Sequence, residues 1–250
     1  MNRPAWHDPR PEGPPARPLP LTERRLGPHD LARVLALHDA VHRAAPVEGL
    51  FVRETPGFFA AHLGRDGHIL GLEAPDGTLV CYGVLGLPQA DADENFGHDL
   101  GLTAADRARV CHLDGTAVLP ALRGRGLQRH MTRRRLALAR AAGRDIALST
   151  AAPGNAWSLA NLTAEGLRVV ALLEKYTALR LMLRADAAEP AIRAPVGPEA
   201  RAVPLDASAS CHGALLAAGW QGVAVHHAAE GPTLVYAPPG GGHGPCGSSP

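Results

Sequence analysis

Lysine is nearly missing from this chain: Lys175 is the only one, and arginine supplies the rest of the 25 basic residues. Against 24 acidic residues they leave a net charge of +1, so no overall field selects a polyanion or an anionic membrane as partner. Aromatic residues make up only 4%. Arginines without interleaved aromatics lack the stacking platforms that bind single-stranded nucleic acid, and nucleic acid is not expected as a partner. No apolar run approaches about 18 residues, so no membrane-spanning helix is expected. The opening Met1-Asn2-Arg3-Pro4-Ala5-Trp6-His7-Asp8 lacks the apolar core of a secretory leader. The four cysteines, Cys81, Cys111, Cys211 and Cys246, show no metal-binding spacing. Reduced thiols in a cytoplasmic protein are the expectation, with no metal.

Alanine, glycine and proline are abundant instead. At 250 residues the chain can bury a full core, as one domain with tails or a small second unit. Residues 1–22 are proline-rich and predict a disordered tail, and 240–250 a flexible one. A short strand is expected near Glu23–Leu26, then a helix from about Asp30 to Ala44 with Leu31, Val34, Leu35, His38, Val41 and His42 on one stripe. His38 and His42 have a metal-compatible i,i+4 spacing, but without a third ligand they read as face residues. Phe58–Leu63 predicts a second helix. His68–Glu73 and Thr78–Leu87 predict a hairpin around Ala74-Pro75-Asp76-Gly77. The polar stretch 88–107 reads as a loop whose acids could attract a cationic amine.

Arg109–Leu119 reads as a central strand, and simple alternation puts Val110, His112, Asp114 and Thr116 on one face with Cys111, Leu113 and Gly115 on the other. Next come a helix over 124–142, a strand around Ile146 and Leu148, a helix from about Asn155 to Glu165, and strands at Val169–Ala171 and Thr177–Leu183. Strands interleaved with helices indicate an α/β fold. Ala185–Ala200 resembles a linker. After it, a helix at Ser210–Ala218 and strands at Val223–His227 and Thr233–Tyr236 form a C-terminal extension over 186–239, without a motif that names a partner.

The most informative stretch runs from Val118 to Gln128. An apolar run stops at Pro120, which cannot donate to a sheet ladder. The turn Arg123-Gly124-Arg125-Gly126 comes next, and from Leu127 the pattern is helical, with Met131 and Leu138 on the same stripe. Strand, glycine turn and helix N-terminus together suit an anion, phosphate above all: glycines let the backbone approach, free amides point outward, and the helix dipole adds positive charge. A plain connection is the alternative. The turn has no Gly-Lys-Ser/Thr after it, so it is not a P-loop.

Pro120–Gln128 resembles motif A of the GCN5-related N-acetyltransferases, Gln/Arg-x-x-Gly-x-Gly/Ala, with Arg123 first, Gly126 fourth, and Gln128 where Gly or Ala is usual. Asn155-Ala-Trp-Ser158 with Gly166-Leu167 after it is similar to motif B, and the resemblance spans residues 23–185. It implies a mixed, mostly antiparallel central sheet flanked by helices, and transfer of an acetyl group from acetyl-CoA to a primary amine of a small molecule or peptide. It also implies that amides of Gly124, Arg125, Gly126, Leu127 and Gln128 hold the pyrophosphate, and that the backbone of Val118 pairs with the pantetheine arm. Asn155 and Ser158 would sit beside that arm. The base often lies on the central strand about ten residues before motif A, a position that falls at His112, with Asp114 two residues on. A histidine titrates near neutrality without special help. The tyrosine acid that many relatives carry four residues before the motif B glycine is Leu162 here, leaving Tyr176 and Ser158 as the candidate hydroxyls to protonate the departing sulfur, with Tyr176 taken as the catalytic one. Rival expectations are an acyl-CoA-binding module without turnover and a nucleic-acid-binding domain using the arginine helix.

Overall fold

The computed structural model describes residues 20–45, 49–186 and 197–239. The N-terminal tail up to residue 19, most of the 185–200 linker and the 240–250 tail lie outside them. The strands are β1 (Thr22–Arg25), β2 (Gly67–Glu73), β3 (Leu79–Gly86), β4 (Val110–Val118), β5 (Ile146–Ala151), β6 (Arg168–Lys175), β7 (Ala178–Asp186), β8 (Arg201–Pro204), β9 (Gln221–Ala228) and β10 (Gly231–Ala237). They form one sheet in the order β1-β2-β3-β4-β5-β7-β6-β9-β10-β8. Only β4 and β5 run parallel; the other described pairs are antiparallel. The helices are α1 (Leu31–Arg43), α2 (Pro56–Leu63), α3 (Ala104–Arg107), α4 (Leu127–Ala141), α5 (Ala156–Ala164) and α6 (Ala209–Ala217).

Local chemistry explains the joints. In the β2–β3 turn the Asp76 carboxylate accepts from the Thr78 amide at 2.9 Å, and Gly77 takes φ +82°, so the Pro-Asp-Gly signal formed the hairpin expected of it. Apolar residues of α1, α2 and β3 (Val34, Phe59, Tyr82) make one core with Ala117 of β4. Leu136 and Ala139 of α4 pack on the other face against Cys111 and Leu113.

The central strand departs from simple alternation. Leu113 stands opposite Leu85 but Thr116 opposite Gly83, so Asp114 and Gly115 together face Val84. This β-bulge reverses the facing of the residues beyond it. Thr116, expected beside His112 and Asp114, lies on the α4 face, where its hydroxyl accepts from Arg135 at 2.8 Å. Arg135 is 1% exposed. Its guanidinium also donates to the carbonyls of Val84 and Asp114, each at 2.8 Å. Arg135 thus supplies donors to backbone carbonyls at the bulge, where the regular ladder is interrupted.

The C-terminal extension continues the sheet. β9 pairs with β6 at Val169 and Gly222, β10 comes next, and β8, a strand not anticipated, closes that edge. Leu205, Leu234 and Tyr236 share a core cluster with Leu159, Leu167 and Leu181.

Candidate functional site

β4 and β5 pair only through Val110–Ile146, Cys111–Ala147 and His112–Leu148. There they part. Ser149 of β5 donates its hydroxyl to the Leu113 carbonyl at 2.7 Å, while its strand continues along β7 and β4 continues along β3. The Leu119 amide bonds the Val80 carbonyl of β3 at 3.0 Å. By alternation Val118 therefore turns its own N–H and C=O toward the open side of the fork.

Beyond β4, a short 3-10 turn at Pro120–Leu122 leads into Gly124 at φ +76° and Gly126 at φ +72°. Both lie in the left-handed region that glycine enters without steric cost. The first backbone bond of α4 runs from the His130 amide to the Gly126 carbonyl, so the amides of Leu127, Gln128 and Arg129 have no partner within the helix. A Cβ on Gly126 would meet no atom within 4 Å. The turn is thus an open cradle of amides at a helix start, flanked by exposed Arg123 and Arg125. It fits a pyrophosphate. The unusual Gln128 does not fill it: its side chain donates to Ser158 Oγ at 3.2 Å and accepts from Asn161 at 2.9 Å. Asn155 caps α5, accepting from the Ser158 amide at 3.0 Å and donating to the Leu50 carbonyl at 3.1 Å. Asn155 and Ser158 therefore sit next to the turn with much of their hydrogen-bonding capacity spent on the fold.

On the α1–α2 side of the fork lies a carboxylate pair. Asp114 is raised to about 7 by burial, opposed by the Arg135 charge. Glu54 is raised to about 7 by burial and then by Asp114, opposed by His62. Glu54 is held from α1: its amide donates to His38 Nε2 at 3.1 Å, which leaves the proton on Nδ1 to meet the Tyr82 hydroxyl at 2.7 Å. His62 donates Nδ1–H to the Phe58 carbonyl at 2.8 Å, and its Nε2 lies 3.8 Å from Asp114 Oδ2. Gly86 makes the room, since a Cβ there would stand 2.7 Å from Asp114 Oδ2 and 3.3 Å from His62 Nε2.

His112 does not have the environment of a base. Its Nε2 accepts from the Phe96 amide at 3.1 Å, and its ring stacks on Phe96 with centroids 3.9 Å apart. Burial, and after it the charges of His62, Lys175 and Arg144, lowers it to about 3. A nitrogen engaged by an amide, on a ring this hard to charge, pins the 88–103 loop to β4; it does not take a proton at neutral pH. The acids of that loop, Asp91, Asp93 and Glu94, are exposed or nearly so, and Asp99 pairs with Lys175 at 2.8 Å.

Tyr176 and Thr177 form the β6–β7 turn with φ +56° and +61°. Left-handed backbone is costly in such residues, above all in β-branched threonine, and two-residue hairpins ordinarily use Asn-Gly there. Lys175 anchors this turn to Asp99 and lies 4.7 Å above the Phe96 ring. Tyr176 is 46% exposed as a residue, yet burial and then Asp114 and Glu54 raise its phenol above the ordinary range. Its phenol therefore lies within the electrostatic reach of the two carboxylates. The fold thus brings together Asp114 and Tyr176, sets His112 aside, and adds Glu54 and His62, which no motif marked.

No protein-family model and no curated protein sequence matches the chain. Solved structures do. Over 70% of this chain and 98% of its own, yncA from Salmonella typhimurium, solved with its cofactor acetyl-CoA, superposes with a TM-score of 0.51 at 17% identity. The ribosomal-protein-S18-alanine N-acetyltransferase from Escherichia coli covers 72% of this chain and 97% of its own, with a TM-score of 0.51 and 14% identity. A GCN5-related N-acetyltransferase from Kribbella flavida covers 66% and 97%, with a TM-score of 0.50 and 15% identity. The architecture is the GCN5-related N-acetyltransferase fold, as the two motifs implied. Among the described residues no group of three or more metal-ligating side chains occurs, and no helix is long and apolar enough to cross a membrane.

Proposed function

We propose that this chain, through its domain at 23–185, moves an acetyl group from acetyl-CoA to a primary amine. The observation that carries the reading is the fork between β4 and β5, its open β4 edge running directly into a cradle of unpaired amides. Acetyl-CoA, when bound, supplies the activated acyl group. Amides of Gly124 through Gln128 would hold its pyrophosphate, with Arg123 and Arg125 adding charge, and Val118 would pair with the amides of its pantetheine arm. Asn155 and Ser158 would border that arm.

An amine arrives at neutral pH as an ammonium, which Asp114 and Glu54 attract. Their raised proton affinity lets the pair take the proton that must leave before the nitrogen can attack. A backbone amide of β4 on the open edge would steady negative charge growing on the acyl oxygen. Tyr176 keeps its proton at neutral pH and would be the donor that protonates the departing sulfur.

The arginines of α4 are engaged within the chain, which weighs against the nucleic-acid reading. Arg129 and Arg133 both pair with Glu165, at 2.6 and 2.8 Å, Arg134 pairs with Glu23 at 2.7 Å, and Arg135 is buried. Acetyl-CoA-dependent thiol release across a panel of amines tests the proposal, alongside the melting temperature with CoA. A CoA-induced rise with no turnover on any amine would favour a binding module, and absence of both would remove the reading.

A further inference from the structure

Arg180 of β7 carries a charge to which the described residues offer no counter-ion. It is 4% exposed, and its Nε is sealed from solvent with no hydrogen-bond partner. Among the described residues no carboxylate pairs with it, and the Tyr176 ring lies 6.0 Å from its guanidinium carbon. Burying a guanidinium without a counter-charge is costly, and a cation–π contact at that distance offsets little of it. His68 Nδ1 is the other buried side-chain polar atom without a partner among the described residues, but of the two only the arginine carries a permanent charge, and such a group calls for a partner.

Its place in the sheet says where that partner would lie. Arg180 is two residues before Met182, so the two share a face of β7, and Met182 packs with Val110, Ile146, Leu148 and Phe96. This is the face that carries His112 and, beyond it, Asp114. Met182 pairs with Thr150, so Arg180 lies further along, toward the end where β5 has left β4. Tyr176 is within reach of both kinds of charge: its ring lies 6.0 Å from the Arg180 guanidinium carbon, and Asp114 and Glu54 add to the rise of its phenol.

We propose that Arg180 binds a carboxylate of the acceptor, so that the acetylated amine belongs to an amino acid held between Arg180 and the Asp114–Glu54 pair. The planar guanidinium fork matches a carboxylate, and a single arginine balances its single charge. This inference rests on the acyl-transfer reading of the same site.

The test uses the full chain, acetyl-CoA, and matched pairs of amines: amino acids with the amine α or ω to the carboxylate, and their decarboxylated counterparts. Amino acids are expected to show the higher kcat/KM, with the α and ω series telling how far the amine lies from the carboxylate. Arg180→Gln should cut that preference by about 30-fold, mainly through KM, as expected for a lost charged hydrogen bond, while the CoA-induced rise in melting temperature persists. Arg180→Lys, which keeps the charge and loses the fork, should fall between. Decarboxylated amines turning over as well as amino acids, or a preference unmoved in both variants, would overturn the carboxylate site and leave acyl transfer standing. If nothing turns over but CoA still binds, amino acids raising the melting temperature of the parent and not of Arg180→Gln would support the subsite, and equal responses would refute it. Loss of both turnover and CoA binding would instead sink the underlying reading, and the inference with it.

Discussion

At the level of single residues the outcome turned on surroundings that a linear pattern does not carry. His112 satisfied every requirement a sequence can express for a base: residue type, strand position and distance from the glycine turn. Its partner Phe96 comes from a loop 16 residues away, and that contact decides its chemistry. Glu54 carried no local signal, because its proton affinity comes from burial beside Asp114. The pair should give a rate that rises with pH through about 7, as one coupled titration. Asp114→Asn should shift or remove that limb of kcat/KM, whereas His112→Asn should lower the melting temperature and leave the limb in place; a limb lost with His112→Asn would restore it as the base. For stability the same shifts act in the opposite direction. Unfolded carboxylates release their protons near about pH 4, while these two hold theirs to about 7 in the fold. Their contribution is therefore fully present below pH 4 and is lost as pH rises through 7. A thermal-melt series of Glu54→Gln should show a flatter decline across that window than the parent, and an identical slope would count against the assignment.

Elements were legible where one local rule governed them. The Pro-Asp-Gly hairpin, the stripes of α1 and α4, and the glycine turn formed as expected, since turn chemistry and helical periodicity are short-range. The bulge at Asp114–Gly115 was not visible, because it depends on how β4 registers against β3 and on an arginine of α4 filling the gap. Arg135→Leu would strand the Val84 and Asp114 carbonyls and the Thr116 hydroxyl. A loss of about 3 kcal/mol or more is expected in urea unfolding, and a change within about 0.5 kcal/mol would mean that Arg135 does not support the bulge. The glycine turn is tested by Gly126→Val. Its positive φ strains a β-branched residue and would twist the amides that start α4. With charge-assisted hydrogen bonds at about 1.5–3 kcal/mol each, CoA affinity should fall at least about tenfold. Dephospho-CoA should lose as much, since the pyrophosphate is the group displaced. Parent-like binding by a folded variant would make the turn a plain connection.

At the scale of the whole molecule, the segment after the linker was the least readable part. It carries no motif, and a proline-rich stretch separates it from the rest, so the sequence presents it as an appendage. The structure gives it the edge of the same sheet. Leu205, Leu234 and Tyr236, each buried, lie in one cluster with Leu159 of α5 and Leu167, and the Trp157 ring of α5 stacks on His227 of β9 at 4.5 Å. His212 of α6 fixes the Tyr236 hydroxyl at 2.8 Å. Without this unit, α5, whose N-terminus borders the glycine turn through Gln128 and Ser158, would lose its cover, and β6 would become an exposed edge. Ending the chain after Asp186 is therefore expected to lower the melting temperature sharply or yield aggregated protein, and any folded fraction should bind CoA more weakly because α5 supports the turn. A truncated chain that melts with the parent and binds CoA equally would show that residues 197–239 are an independent appendage.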